Sequence, residues 1–284
     1  MSRVFRVSWG PSIALSLLVV LGACSETIPD RIVEVDPDAI RPFNVQVPDE
    51  ILDDLDDRLK RARFPDQIPD TDWSYGTDGA YLSELIDYWR TEFDWRAQEQ
   101  ILNELNQFTT VIDGVDLHFI HQRSSNPDAV PLLLIHGWPG SIFEFMEIIG
   151  PLSDPASYGG NRSDAFHLVI PSLPGFGFSG KPSESGWSPE RMAAAFAELM
   201  ERLDYDRYGV QGGDWGGIIG RSLAGNYPDR VIGFHTNFVL GGPPPNTDRW
   251  AGVSEEERTF LADRTEAFAE GSGYQEIQGT KPQS

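Results

Sequence analysis

Cysteine is all but absent: Cys24 stands alone among 284 residues, and a single thiol excludes an intramolecular disulfide. Positive charge is scarce. Lys and Arg number 22 against 44 Asp and Glu, a formal net charge of -22, which argues against a nucleic-acid partner because phosphate is repelled. No apolar run is long enough to span a bilayer; residues 13–21 come nearest and fall short. Histidine is limited to five. His118 and His121 lie three apart on an expected strand, so they face opposite sides and make a poor metal pair. No cofactor or metal is implied.

What is present is ordinary for a globular chain, with 40% hydrophobic and 23% charged residues. The N-terminus is distinctive. Arg3 and Arg6 precede the apolar residues 13–21, and Leu21-Gly22-Ala23-Cys24 follows. This resembles the lipobox of bacterial lipoprotein signal peptides. The expectation is a signal peptide over residues 1–23, lipidation at Cys24, and a polar tether over residues 24–40. The mature chain would then be a membrane-anchored protein outside the cytoplasm, in the periplasm or cell envelope.

Residues 41–107 read as helical. Pro48 opens a segment with Ile51, Leu52, Leu55 and Leu59 on one face, and Pro65 closes it. A second helix carries Tyr81, Leu82, Leu85, Ile86, Trp89 and Phe93, and a third runs from about Trp95 to Leu105. The tryptophans Trp73, Trp89 and Trp95 read as packing residues. From Phe108 the period changes. Residues 108–121 form a hairpin turning on Asp113-Gly114. Residues 130–135 and 166–170 are short, wholly apolar strands of the kind buried on both faces of a parallel sheet. Helices begin at Ser141 and Ser188. Strand and helix alternate to a last strand near residues 230–238, which implies an α/β, doubly wound, mostly parallel sheet with its site at the strand C-termini. Residues 108–240 are this core. After Gly241-Gly242-Pro243-Pro244-Pro245 a helix is expected from about Ser254 to Glu270.

The stretch that carries chemistry is Gly212-Gly213-Asp214-Trp215-Gly216-Gly217, between an apolar strand and a helical pattern. That is the strand–sharp turn–helix context of an α/β-hydrolase nucleophile elbow. Glycines at 212 and 216 leave room where strand and helix meet. The tip residue is a carboxylate, which attacks alkyl carbon well and acyl carbon poorly, so Asp214 points to an alkyl-ester intermediate. His136-Gly137-Trp138-Pro139-Gly140 follows a central strand and can aim a backbone N–H into the same crevice. Trp138 and Trp215 are the expected oxyanion-hole donors, and His136 reads as a scaffold residue.

These motifs, with Pro171-Ser172-Leu173-Pro174-Gly175-Phe176-Gly177-Phe178-Ser179 and Gly273-Tyr274-Gln275-Glu276-Ile277-Gln278-Gly279-Thr280-Lys281-Pro282, resemble epoxide hydrolases of the microsomal and juvenile-hormone type. The resemblance implies that residues 41–107 are the family's N-terminal segment and 241–284 part of a cap. It implies an epoxide substrate converted to a vicinal diol, with Asp214 as nucleophile and Tyr274 as donor to the epoxide oxygen. Trp138, Phe176, Trp215 and His235 would contact substrate. Epoxides of aromatic hydrocarbons and a detoxifying role fit the same likeness. The family's general-base His, its acid partner and a second cap Tyr have no match, and the only His after Asp214 is His235. The expectation is a C-terminally truncated form, lacking the last strands of the sheet and poor at turnover. A haloalkane dehalogenase and a non-catalytic lipid-anchored binding protein on the same fold remain as alternatives.

Overall fold

The computed structural model describes residue 36 and residues 38–239, 246–248 and 250–281. Cys24, the expected signal peptide, the tether except residues 36 and 38–40, and Gly241–Pro245 lie outside the described residues.

Three helices come first: α1 (Asp49–Lys60), α2 (Gly79–Thr91) and α3 (Trp95–Asn103). The first is organised by charge as much as by its apolar face. Asp49 and Glu50 sit in its first turn and Arg58 and Lys60 in its last, each favourable to the helix dipole. Arg58–Asp54 and Lys60–Asp56 pair one turn apart. Asp78 and Asp94 cap α2 and α3 through their side chains. The chain before α1 is tied to α3 by side chains: Val47 N–H donates to Glu99 and Val45 N–H to Asn103. Trp95 is half-buried and bonds Glu99 through Nε1 (3.1 Å). Trp73 and Trp89 are instead 56% and 43% exposed. The facing apolar sides of α1 and α2 leave an open groove of about 530 Å³ and do not close on one another.

The sheet has seven strands: β1 (Arg41–Pro42), β2 (Gln107–Ile112), β3 (Val115–Gln122), β4 (Val130–Ile135), β5 (Phe166–Pro171), β6 (Tyr208–Gly212) and β7 (Val231–Thr236). Their order is β1-β2-β3-β5-β4-β6-β7. β2 and β3 form the hairpin, with Asp113 and Gly114 both at positive φ (49° and 74°), as a tight two-residue turn requires. β5, β4, β6 and β7 are mutually parallel. The fold is α/β, with its parallel half carrying the site and an antiparallel half beside it. Among the described residues β7 is an edge strand.

Helices α4 (Met146–Ser153), α5 (Pro189–Arg202) and α6 (Asp214–Asn226) flank the sheet. One apolar cluster joins β2, β3, β4 and β6 to α5 and α6 around Phe119, Phe196, Tyr208 and Val210. A second joins α3, α4, β4 and β5 around Leu102, Leu134, Ile149 and Leu168. Beyond β7 lie α7 (Glu255–Gly271), opened by a Ser254–Glu257 capping box, and α8 (Gly273–Thr280). No described helix is long and apolar enough to cross a membrane.

His118 and His121 separate as β3 dictates. His118 is fully buried between Ser172 and Gln107, 3.0 Å from each, while His121 meets the Tyr205 hydroxyl at 2.9 Å. Burial lowers both from 6.5 to about 4, with Arg123 and His167 adding to the effect at His121. As pH falls through 6.5 the unfolded chain takes up protons that the folded chain refuses until about pH 4. The stability these neutral imidazoles permit is therefore complete above 6.5 and is lost across that window. The urea midpoint drops between pH 7 and pH 5, and His121→Gln, which cannot titrate, flattens the drop. An unchanged slope in the variant would contradict this.

Candidate active site

The C-terminal ends of β4 and β6 lie side by side, Ile135 against Gly212. This register brings the loop that starts at His136 onto the turn that starts at Gly213. Asp214 occupies the tip of that turn at φ 49°, a left-handed conformation uncommon outside glycine that Asp and Asn adopt more readily than other residues. Asp214 is also the first residue of α6, so its half-buried carboxylate sits at the positive end of the helix dipole. The backbone N–H of Trp138 donates to Asp214 Oδ1 at 2.8 Å. A Cβ on Gly137 would fall 2.5 Å from that same Oδ1, so only glycine lets the loop come this close.

His136 is buried. Its Nδ1 lies 2.9 Å from Gly137 O, and its Nε2 accepts the Leu173 N–H at 3.0 Å. Burial holds its pKa below the ordinary value, against opposing pulls from the Gly137 carbonyl and Glu144. It faces the loop's own backbone and the second residue after β5.

A cavity of about 380 Å³ opens above Asp214. Trp138, Trp215, Ile218 and Phe238 line it from the core, and Phe268, Tyr274, Gln275, Gln278 and Gly279 from α7 and α8. The Tyr274 ring stacks on Trp138, centroids 5.9 Å apart and planes 23° off parallel. Its hydroxyl accepts a bond from Gln275 Nε2 at 3.0 Å, which leaves the phenolic proton free to donate. The geometry thus gathers a carboxylate, an N–H already on one of its oxygens, and a phenol across an apolar space.

Asp214, Trp138, Trp215 and Tyr274 are brought together; two other expected contacts are not. His235, on β7, pairs with Gln211 of β6 and is exposed. Its neighbour Phe234 packs toward Gly220 of α6, so strand alternation turns His235 to the opposite face. Phe176 is 41% exposed in the loop after β5, and β4 separates β5 from β6. Neither lines the cavity. Trp215 N–H, in the first turn of α6, makes no hydrogen bond among the described residues. Ile218, Phe238, Phe268, Gln275 and Gln278 were not anticipated. Ile218 had a signal, since it stands one turn after Asp214 on a helix; Phe238 and Phe268 had none. Among the described residues no cluster suits a metal ion.

The family described as epoxide hydrolase N terminus matches residues 40–145, and the alpha/beta hydrolase fold family matches residues 130–259. The chain is 46% identical over 247 residues to an epoxide hydrolase homologue from Stigmatella aurantiaca, covering 86% of this chain and 55% of the relative. It is 38% identical over 264 residues to epoxide hydrolase 1 of Sus scrofa, covering 86% and 58%. Among solved structures, the Aspergillus niger epoxide hydrolase superposes with a TM-score of 0.76 at 34% identity, covering 86% of this chain and 64% of that one. The chain thus spans a little over half the length of the curated relatives it matches. Both halves of the described structure, the helical segment before the sheet and the sheet with its elbow, align with epoxide hydrolases, a juvenile hormone epoxide hydrolase of Ctenocephalides felis among them at 32% identity over 258 residues.

Proposed function

We propose that the chain carries the alkylating half-reaction of an epoxide hydrolase. Asp214 Oδ2 attacks a ring carbon from the side opposite the C–O bond. That bond breaks, its electron pair goes to the epoxide oxygen, and Tyr274 delivers the phenolic proton to it. The product is a β-hydroxyalkyl ester on Asp214. Water then adds to the ester carbon, and the charge collects on Oδ1, where Trp138 N–H already sits. Trp215 N–H is the second donor when that charge forms. Collapse of the tetrahedral species releases a vicinal diol and regenerates the carboxylate, the two protons of the attacking water going to the leaving alkoxide and to the Tyr274 phenolate. The observation that carries this reading is the Asp214 carboxylate at 2.8 Å from a fixed N–H, beneath a stacked tyrosine.

Among the described residues no histidine lines the cavity, and no described lining residue stands as the base that takes the proton of water in the second step. On the described residues alone, ester formation outpaces ester hydrolysis. Intact-protein mass spectrometry after incubation with styrene oxide tests this: one adduct mass, mapped to the peptide containing Asp214, is expected. Rapid diol formation without a trapped adduct would overturn the slow second step. Halide release from a 1-haloalkane, assayed beside it, would favour dehalogenase chemistry. The aromatic and aliphatic lining supports epoxides with an apolar or aromatic substituent, and with them a role in breaking down or detoxifying aromatic hydrocarbons.

Tyr274→Phe keeps the ring stack and removes the proton. Adduct formation slows roughly 10²- to 10⁴-fold, the range for loss of a positioned acid, with little change in melting temperature because Tyr274 is 48% exposed. An unchanged rate would remove Tyr274 from the reaction.

Residues 21–24 support export and lipid attachment at Cys24. Expressed in a bacterium, the wild-type chain partitions into the membrane fraction and Cys24→Ala does not; equal partitioning would refute the anchor.

A further inference from the structure

We infer that His136 is a positioning residue for the chemistry proposed at Asp214: it holds the Gly137–Trp138 peptide in the one orientation that aims Trp138 N–H at Oδ1. This rests on the reaction proposed above. The ring's two nitrogens have different partners. Nε2 accepts the Leu173 N–H, so it carries no proton, and the proton of the neutral ring is on Nδ1, 2.9 Å from Gly137 O. Nδ1–H therefore donates to that carbonyl.

A trans peptide is planar with C=O and N–H antiparallel, and the Gly137–Trp138 bond is trans. Fixing the carbonyl toward His136 turns the N–H to the other side, where Asp214 Oδ1 lies at 2.8 Å. The restraint is needed because residue 137 is glycine. A Cβ there would sit 2.5 Å from Asp214 Oδ1, yet glycine leaves this peptide free to rotate. A flipped peptide would present a carbonyl to the carboxylate. The requirement for close approach thus removes the backbone's own preference, and His136 replaces it.

The two bonds can be separated in the full chain. In H136N the side-chain amide nitrogen overlies Nδ1 and keeps the donor to Gly137 O, while the acceptor for Leu173 N–H is lost. In H136Q the amide reaches the Nε2 position and the reverse holds. Two readouts distinguish aiming from simple loop support. The first is the Trp138 amide proton in 15N-labelled protein, shifted downfield by a carboxylate acceptor. It moves upfield in H136Q and recovers in H136N. The second is the lifetime of the styrene oxide adduct. Oxyanion charge develops only in ester hydrolysis, so adduct decay slows roughly 100-fold in H136Q while adduct formation changes only a few-fold. H136N restores most of the decay rate.

Equal losses in the two variants, or an unmoved Trp138 amide in H136Q, would overturn the inference. If H136Q does not fold, the wild-type ring decides: 15N shifts placing the proton on Nε2 refute the lock. If styrene oxide gives no adduct on Asp214 in the wild type, the epoxide reading falls, and the amide and ring signals still decide the role of His136.

Discussion

Asp214→Asn abolishes the styrene oxide adduct, and no other residue takes over the reaction. The amide is isosteric, so the turn keeps its shape, but it loses the charge that makes the group a nucleophile. One amide face also presents N–H donors where Oδ1 now accepts from Trp138. Losing the attacking group lowers the rate of adduct formation at least about 10³-fold. Stability moves the other way or not at all. Asp214 holds its carboxylate in a left-handed backbone at φ 49°, where Asn is among the residues best tolerated. Intact mass after overnight incubation checks the chemistry, and the melting temperature checks the fold. An adduct persisting in the variant at wild-type rate would place the nucleophile elsewhere. A variant that is both inert and unfolded would say nothing of Asp214, so melting is measured first.

The site was legible where local chemistry dictates local shape. Asp113-Gly114 announces its hairpin because few other pairs accept two positive φ angles in succession. Ser188 and Ser254 announce helices because their hydroxyls satisfy first-turn N–H groups. The elbow is legible because glycine recurs where a strand and helix must nearly touch. What was missed is long-range. β1, only Arg41–Pro42, exists through pairing with a strand far along the chain, in the register Arg41↔Thr109 and Pro42↔Phe108. α8 carries Gly273 and Gly279 and lacks an apolar period, so nothing local marks it as a helix, yet it brings Tyr274, Gln275 and Gln278 to the cavity. His235 and Phe176 failed for the converse reason. Nearness to a motif along the chain does not fix which face of a strand a side chain takes, or how many strands intervene.

Gly216→Ala destabilises the fold through a backbone clash that no side-chain rotation relieves. The added carbon would lie 2.0 Å from Ile135 O, 2.7 Å from Ile135 C and 2.9 Å from His136 O. All three are backbone atoms of β4 and the loop that bears Trp138, so no side chain can swing aside. Relief requires α6 to move off the sheet, and Asp214 lies two residues before Gly216 on that helix. The overpacking term is about 3 kcal/mol or more, a fall in melting temperature of roughly 6–12 °C for a domain of this size. The same displacement lengthens the Trp138 N–H to Asp214 contact, so adduct formation and decay both suffer in whatever fraction stays folded. Helix propensity predicts the opposite sign, since alanine is favoured over glycine by about 1 kcal/mol in a helix interior. Gly225 separates the two effects. It lies on the same helix, and a Cβ there meets nothing within 4 Å, so Gly225→Ala raises the melting temperature while Gly216→Ala lowers it. Thermal unfolding of the two variants beside the wild type decides between them. If both substitutions stabilise, the close approach of α6 to β4, and with it the geometry that sets Asp214 against Trp138, is wrong.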